Sequence, residues 1–403
     1  MAKLRNIALL IESSRVEGRE LLRGIGSYVR EHEEWSIYYQ ERSLSDAAPA
    51  WLKKWRGDGI IARIESRRLA KQIIQMDLPT VDLRGRHHIE GVVAAVTNRG
   101  VTARAAAEHL LDCGFKHFAY CGLGGLSFSD ERRIDFVEYL AEKGYDTSVH
   151  ESPCRPQTFD TPTIEAKAMF HSDALKRWLQ SLPKPVGMMA CNDIRAQQVL
   201  STCRTHGIVV PEDVAVIGAD NDEVLCGLCV PSLSSIDKNH HALGYEAAVL
   251  LDRMMNGHRP AADLVLAEPA RLVPRQSTDV LAIDDTDVRA ALRFIRGHAC
   301  EGIMVGDVLE HVSLSHATLK RRFAKLLGRP PKAEIMRVQL QRVKDVLATT
   351  DMPLAKIAEL AGFRHVEIMC RMFKKKTTQT PGQYRAACRS GAYRDSAHQA
   401  GRK

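Results

Sequence analysis

Two seven-residue stretches carry arginines in the same frame: Leu319-Lys320-Arg321-Arg322-Phe323-Ala324-Lys325 and, 50 positions later, Met369-Cys370-Arg371-Met372-Phe373-Lys374-Lys375. In each copy the apolar pair stands four residues apart, so both side chains share one helix face and Arg321 or Arg371 projects from the other. A guanidinium on an exposed helix can bond guanine O6 and N7 together. A carboxylate can accept from cytosine N4, and an apolar side chain can meet a thymine methyl. Base contacts are therefore expected from His316, Ala317, Lys320 and Arg321 in the first copy, and from His365, Glu367, Cys370 and Arg371 in the second. Lys325, Arg329, Lys374 and Lys375 are assigned to phosphates, which add affinity without sequence.

A second set of polar residues follows apolar runs that read as strands. Ala190-Cys191-Asn192-Asp193 follows one, Gly218-Ala219-Asp220-Asn221-Asp222 another, and the stretch from Ser127 to Arg132 a third. In open parallel sheets, ligands bind beyond the carboxyl ends of strands. The turn Gly122-Leu123-Gly124-Gly125 is neither G-x-G-x-x-G nor a Walker loop, so no nucleotide cofactor is expected. Cys226-Gly227-Leu228-Cys229 has no partner pair with zinc spacing and reads as coincidence.

The elements that must position these residues alternate along the first 280 positions. Strands are expected at Ile7–Ile11, Trp35–Tyr39, Gly59–Ile64, Thr80–Leu83, Val92–Val96, His117–Cys121, Val186–Ala190 and Val214–Gly218. Helical periods lie between them at Arg19–Arg30, Arg99–Cys113, Glu131–Lys143, Ala174–Leu182 and Arg195–His206. This alternation predicts parallel sheets covered on both faces, and so many units predict two α/β lobes.

Beyond a polar linker over 281–286 the pattern becomes helical throughout. Asp287–His298 and Val305–Val312 precede the first presented helix, His316–Leu327, which Ser315 can cap. A long amphipathic helix, Lys332–Ala348, leads to Leu354–Ala361, and Gly362 supplies the turn before the second presented helix, His365–Lys375. A connecting helix of about 17 residues spans roughly 25 Å. That length suits two helices set in consecutive major grooves, about 34 Å apart. The tail, 390–403, lacks an apolar period and is expected to be disordered.

The charge supports this division. From Thr286 to Lys403 there are 23 Lys and Arg against 10 Asp and Glu; the rest of the chain holds 34 against 39. A basic block beside a mildly acidic one is the footprint of a polyanion-binding module joined to something else. No run of about 18 apolar residues suggests a membrane span. The apolar stretch Asn6–Ile11 is too short for an export signal and reads as a first strand. The 10 cysteines are accordingly expected as thiols in a cytoplasmic protein. There is no Ser-His-Asp elbow, metal set or phosphate loop, so catalysis is not expected.

The basic segment 287–389 resembles the DNA-binding domain of the AraC/XylS family, through Ile357-Ala358-Glu359-Leu360-Ala361-Gly362-Phe363 and Thr380-Pro381-Gly382-Gln383-Tyr384-Arg385. Ser313 departs from it, standing where first motifs of that family often have Gly. Residues 1–280 resemble the effector domain of LacI/GalR-type repressors and periplasmic sugar-binding proteins. Cys191-Asn192-Asp193, the run Val209–Asp220 and Val230-Pro231-Ser232-Leu233-Ser234-Ser235-Ile236 carry that likeness. The headpiece that usually precedes such a domain is not expected, since the first strand begins near Asn6.

The resemblance implies a two-lobed periplasmic-binding-protein-like α/β domain followed by an all-α tandem helix-turn-helix domain. It implies a small-molecule sugar effector, xylose or a related pentose, hydrogen-bonded by Arg132, Asn192 and Asp220, with Asp193 beside them. It further implies a homodimeric transcription activator that binds a double-stranded DNA operator and contacts RNA polymerase, without cofactor, metal or membrane. The alternatives are a sugar receptor for transport and a sugar-modifying α/β enzyme.

Overall fold

The computed structural model describes residues 4–32, 34–43, 46, 48–85, 89–98, 100–152, 165, 172–258, 260, 264–266, 271–279 and 285–389. The chain divides into two compact units, Met1–Val280 and Leu281–Lys403. Positions 281–284 of the expected linker and the tail 390–403 lie outside the described residues.

The first unit begins β1 (Arg5–Leu10), α1 (Val16–His32), β2 (Trp35–Tyr39), β3 (Gly59–Ala62), α2 (Arg67–Ile74), β4 (Thr80–Asp82) and β5 (Val93–Thr97). It continues α3 (Val101–Asp112), β6 (His117–Leu123), α4 (Ser127–Glu142), β7 (Thr147–Ser152), α5 (Ser172–Ser181), β8 (Val186–Ala190), α6 (Asp193–Thr205), β9 (Val214–Ala219), α7 (Glu223–Leu228) and β10 (Ser234–Asp237). It closes with α8 (His240–Met255), β11 (Leu264–Leu266) and β12 (Arg271–Val273).

These strands form two six-stranded sheets among the described residues, ordered β11-β5-β4-β3-β1-β2 and β12-β10-β9-β8-β6-β7. All pairings are parallel except β10 with β12. Each sheet is the centre of one lobe. The chain crosses between lobes after β5, after β10 and between β11 and β12.

Central strands β3, β8 and β9 are apolar along their whole length because helices cover both faces. Every residue of β3, β8 and β9 is buried. One lobe closes over Ile7, Leu21, Ile61, Val81 and Leu251, the other over Ala119, Met188, Cys203, Val216 and Leu233. Strand β10 differs in composition. Ser234 and Ser235 are fully buried, and their hydroxyls bond Thr278 Oγ1 (2.7 Å) and Asp193 Oδ1 (2.5 Å). No apolar period marks such a strand.

The second unit is helical: α9 (Thr286–His298), α10 (Val305–His311), α11 (His316–Leu327), α12 (Pro331–Thr349), α13 (Leu354–Leu360), α14 (Val366–Thr377) and α15 (Pro381–Arg389). Helix α9 starts one residue before the apolar period suggests, because the Asp285 carboxylate accepts from the amides of Asp287 and Val288, both at 3.1 Å.

Two separate cores hold this unit. Val288, Leu292, Ile295, Val308, Leu319, Phe323 and Ile335 form the first. Leu340, Val343, Leu347, Ile357, Met369, Phe373 and Tyr384 form the second. Helix α12 belongs to both and joins them. Among the described residues no helix is long and apolar enough to cross a membrane.

Candidate functional site

Three of the four expected effector residues meet at the strand ends of one lobe, where it faces the other. Arg132, on α4, donates from Nη2 to Asp220 Oδ1 at 2.9 Å and from Nη1 to the carbonyl of Cys191. Its guanidinium also lies 5.5 Å from the Phe128 ring. Asp220 follows β9 in an unusual backbone state: it and Asn221 both have positive φ, 97° and 51°. Such conformations cost on the order of 1–3 kcal/mol each and persist only where surroundings hold them. Here the Asp220 amide bonds the Ile236 carbonyl (2.9 Å), and Arg275 bonds the Asn221 side chain (2.8 Å).

Asn192 does two jobs at once. Its side-chain oxygen caps α6 by accepting from the Arg195 amide at 2.9 Å, and its amide nitrogen donates to Glu165 at 2.8 Å. Capping therefore fixes the direction in which the amide reaches into the cleft.

Asp193 differs from the expectation. It is buried and turned into its own lobe, where Ser235 Oγ and the Asp222 amide bond its two oxygens at 2.5 and 2.7 Å. A Cβ at position 218 would lie 2.2 Å from its carboxylate, so Gly218 is required for this approach. Burial, reinforced by the charge of Asp220, pushes its pKa up to about 7. Asp193 ties α6 to β10 and to the start of α7 rather than facing an effector.

The opposite lobe supplies residues that the sequence analysis missed. Arg63, directly after β3, is buried and pairs with Glu12 after β1, with Glu17 at 3.1 Å and with Glu65 at 3.8 Å. Lys238 joins the lobes electrically, standing 3.1 Å from Asp220 and 4.0 Å from Glu17. His240 Nε2 lies 3.5 Å from Glu17, and burial lowers its pKa to about 4. Arg15 reaches Glu165, and Arg19 reaches Asp222 at 3.2 Å.

Burial opposes the charge of Asp220 and of Glu17. Arg132 and Lys238 overcome it for Asp220, and Arg63, Lys238 and His240 for Glu17, so both carboxyls titrate well below the ordinary range. The strand-end rule that singled out Asp220 applies equally to Glu12 and Arg63 and would have found them. Where the lobes face each other, forked donors such as Arg132 and Arg63 thus stand among carboxyl acceptors such as Asp220 and Glu17, a set that suits a polyhydroxyl ligand. Among the described residues no group of three His, Cys, Asp or Glu side chains could hold a metal ion. Cys113, Cys121, Cys191, Cys203, Cys226, Cys229, Cys300 and Cys370 are free thiols, and burial raises the pKa of both Cys226 and Cys229.

In the helical unit, Leu319 and Phe323 are buried in α11, as are Met369 and Phe373 in α14. His316, Ala317, Lys320, Arg321 and Lys325 are exposed on the first helix; Glu367, Arg371, Lys374 and Lys375 are exposed on the second, with His365 at its N-cap. Ser315 caps α11 by accepting from the Thr318 amide at 3.2 Å.

Two residues depart from expectation. Arg329 is bound at 2.5 Å to the fully buried Glu334, which Arg337 also holds at 2.7 Å, so its guanidinium is committed to the fold rather than to a phosphate. Cys370 is half-buried and packs against the second core, so it is not a free base-reading side chain. The first turn needs no glycine: Gly362 has φ of 73°, whereas Ser313 is not among the residues with positive φ.

Comparison with known proteins covers nearly the whole chain. Residues 6–98 match an XylR N-terminal domain, 107–278 a periplasmic binding protein-like domain and 308–387 a helix-turn-helix domain. The chain is 30% identical over 393 residues to the xylose operon regulatory protein of Escherichia coli (strain K12), covering 95% of this chain and 97% of that one. The protein of that name from Haemophilus influenzae is 29% identical, with 95% and 98% covered. The solved structure of the xylose-binding transcription activator XylR superposes with a TM-score of 0.75 at 29% identity, covering 95% of this chain and 98% of that one. A LacI family regulator from Enterococcus faecium with bound ribose matches 69% of this chain and 100% of its own, at 20% identity and a TM-score of 0.55, a likeness of fold.

Proposed function

Because the chain belongs to the family of xylose operon regulatory proteins, we propose that it is a sugar-responsive, sequence-specific transcription activator of pentose catabolism genes, with xylose or a closely related pentose as effector. One observation carries the proposal. A single chain joins a set of forked donors and carboxyl acceptors, gathered where its two α/β lobes face each other, to two exposed, arginine-bearing helices in a duplicated frame.

The mechanism follows from the pairing. The hydroxyls of a pentose replace part of the internal bonding among Arg132, Asp220 and Lys238, and the amide of Asn192 adds a further donor. Glu12, Glu17 and Arg63 meet the ligand from the other lobe. Arg15 and Arg19, at the start of α1, draw the lobes together through Glu165 and Asp222. The sugar shifts the equilibrium only by its differential affinity for the two lobe arrangements. The protein acts in the cytoplasm as a homodimer, binds a double-stranded operator and contacts RNA polymerase, performing no catalysis of its own.

Arg321 and Arg371 read base edges with His316, Ala317, Lys320, His365 and Glu367, while Lys325, Lys374 and Lys375 neutralise phosphates. A gel shift with an operator selected from random duplexes tests both halves. Xylose is expected to change the affinity at fixed salt, where glucose does not. Unchanged affinity across a panel of monosaccharides would remove the sugar from the proposal.

A further inference from the structure

Helix α12 is 19 residues long, about 28 Å, and passes from one core to the other. Ile335 and Val338 pack in the first core, Leu340 and Val343 in the second. Gln339 stands at the junction and is buried. Its side-chain amide nitrogen donates to the Ala299 carbonyl at 3.0 Å, in the first half, and to the Gly362 carbonyl at 3.2 Å, in the turn of the second.

The two halves also touch directly at this point. Gly302 and Gly362 both have positive φ, 82° and 73°. A Cβ on Gly362 would lie 2.7 Å from the Cys300 carbonyl oxygen and 2.8 Å from the Gly302 nitrogen. A Cβ on Gly302 would come within 3.3 Å of the Gly362 carbonyl. The turn that precedes the second presented helix is therefore seated on the turn that follows α9.

A single helix joining two small cores resists bending but leaves their rotation about its axis to side-chain packing. An off-axis contact removes that freedom. The Gln339 carboxamide supplies it, because its two N–H groups sit in a fixed planar fork. It satisfies both carbonyls only when the two turns keep one relative position. An apolar residue of similar size would fill the space but would take this donor from the Gly362 carbonyl and leave the Ala299 carbonyl only the Gly302 amide, at 3.2 Å.

We infer that Gln339, with the Gly302–Gly362 contact, is a positioning device that sets the rotation and separation of the two DNA-reading helices, and so the spacing of half-sites the protein accepts. This rests on the proposed reading of one duplex by both α11 and α14. One extra base pair between half-sites turns the second by about 35° and moves it about 3.4 Å, a change that a fixed joint cannot follow.

The test uses the full-length protein, an operator selected from random duplexes, and derivatives with one base pair added or removed between its halves. Native protein is expected to lose about tenfold or more in affinity at either altered spacing. Gln339→Ala and, separately, Gly362→Ala should flatten that profile, weakening the selected spacing by several-fold while changing the altered spacings little. Binding to duplexes carrying one intact half-site reports the fold and is expected to stay within about twofold of native.

A Gln339→Ala profile as steep as native overturns the inference. So does loss of single-half-site binding, which would make Gln339 a determinant of the fold and not of the joint. Selection of no operator at all by native protein would instead defeat the DNA-reading proposal underneath, and this inference with it.

Discussion

Asp193 and Asp220 both follow central strands of one lobe, yet their surroundings shift their titration in opposite directions. Burial opposes ionisation of both, but only Asp220 has Arg132 and Lys238 within bonding distance. Asp193 has hydroxyl and amide donors and the repulsion of Asp220. In the unfolded chain Asp193 ionises at its ordinary value of 3.8; in the folded protein it keeps its proton to about 7. The folded state binds the extra proton between those limits, so this contribution to stability is present below the unfolded value and lost as pH rises through 7. Asp193→Asn has no proton to lose there. Its stability relative to native protein should improve between about pH 4 and pH 8, by at most about 1.4 kcal/mol per unit, in denaturant melts. His240 titrates in both proteins and cancels in the comparison. Parallel stability curves would overturn the assignment.

At the scale of the element, α11 and α14 share a frame but not their supports. Ser315 caps the first helix through its side chain, whereas His365 makes no side-chain cap bond. Arg322 pairs with Asp285 at 3.0 Å and Asp287 at 3.1 Å, while its counterpart Met372 packs against the second core. The two faces differ as well, with Ala317 and Lys320 on one and Glu367 and the half-buried Cys370 on the other. The half-sites should therefore differ in sequence. Arg321→Ala and Arg371→Ala should each cost about 1–3 kcal/mol on the selected operator and relax preference only in the half-site that helix faces. Binding to operators randomised one half at a time checks this. Equal losses on unrelated DNA would move both arginines to the phosphates.

At the scale of the molecule, the acidic first unit and the basic second unit divide the work by charge. A polyanion is attracted to the segment after Thr286 and not to the effector unit, where Lys and Arg number 34 against 39 Asp and Glu. As a homodimer the chain would bring four reading helices to one operator and gain affinity from linkage. Light scattering at micromolar concentration should report twice the 44.9 kDa chain mass, with and without xylose. Xylose should also raise the melting temperature, since a ligand bound only by the folded state stabilises it by mass action. A monomer that still binds the whole operator would remove the dimer from the mechanism.

Much of this architecture is legible in the sequence because its signals are local or additive. Trp35–Tyr39 and Val186–Ala190 are strands with the bounds that their apolar runs suggest. The 50-residue repeat of Arg321 and Arg371 needs only helical periodicity to place both arginines outside. The net charge of each half is a sum over its residues. Strand β10 escaped because its buried serines carry no apolar period, and β7 because it is a half-exposed edge.

Partnership is another matter. Arg132 and Asp220 are 88 residues apart, Arg63 and Glu12 are 51 apart, and Arg15 and Glu165 are 150 apart. No spacing rule distinguishes Asp193, turned inward, from Asp220, turned to the cleft, or Arg329, spent on a buried carboxylate, from Lys325, left free of that duty. Periodicity tells which face of an element is covered. Which atom lies opposite is decided only when distant segments close on one another and burial makes every unpaired charge or donor costly.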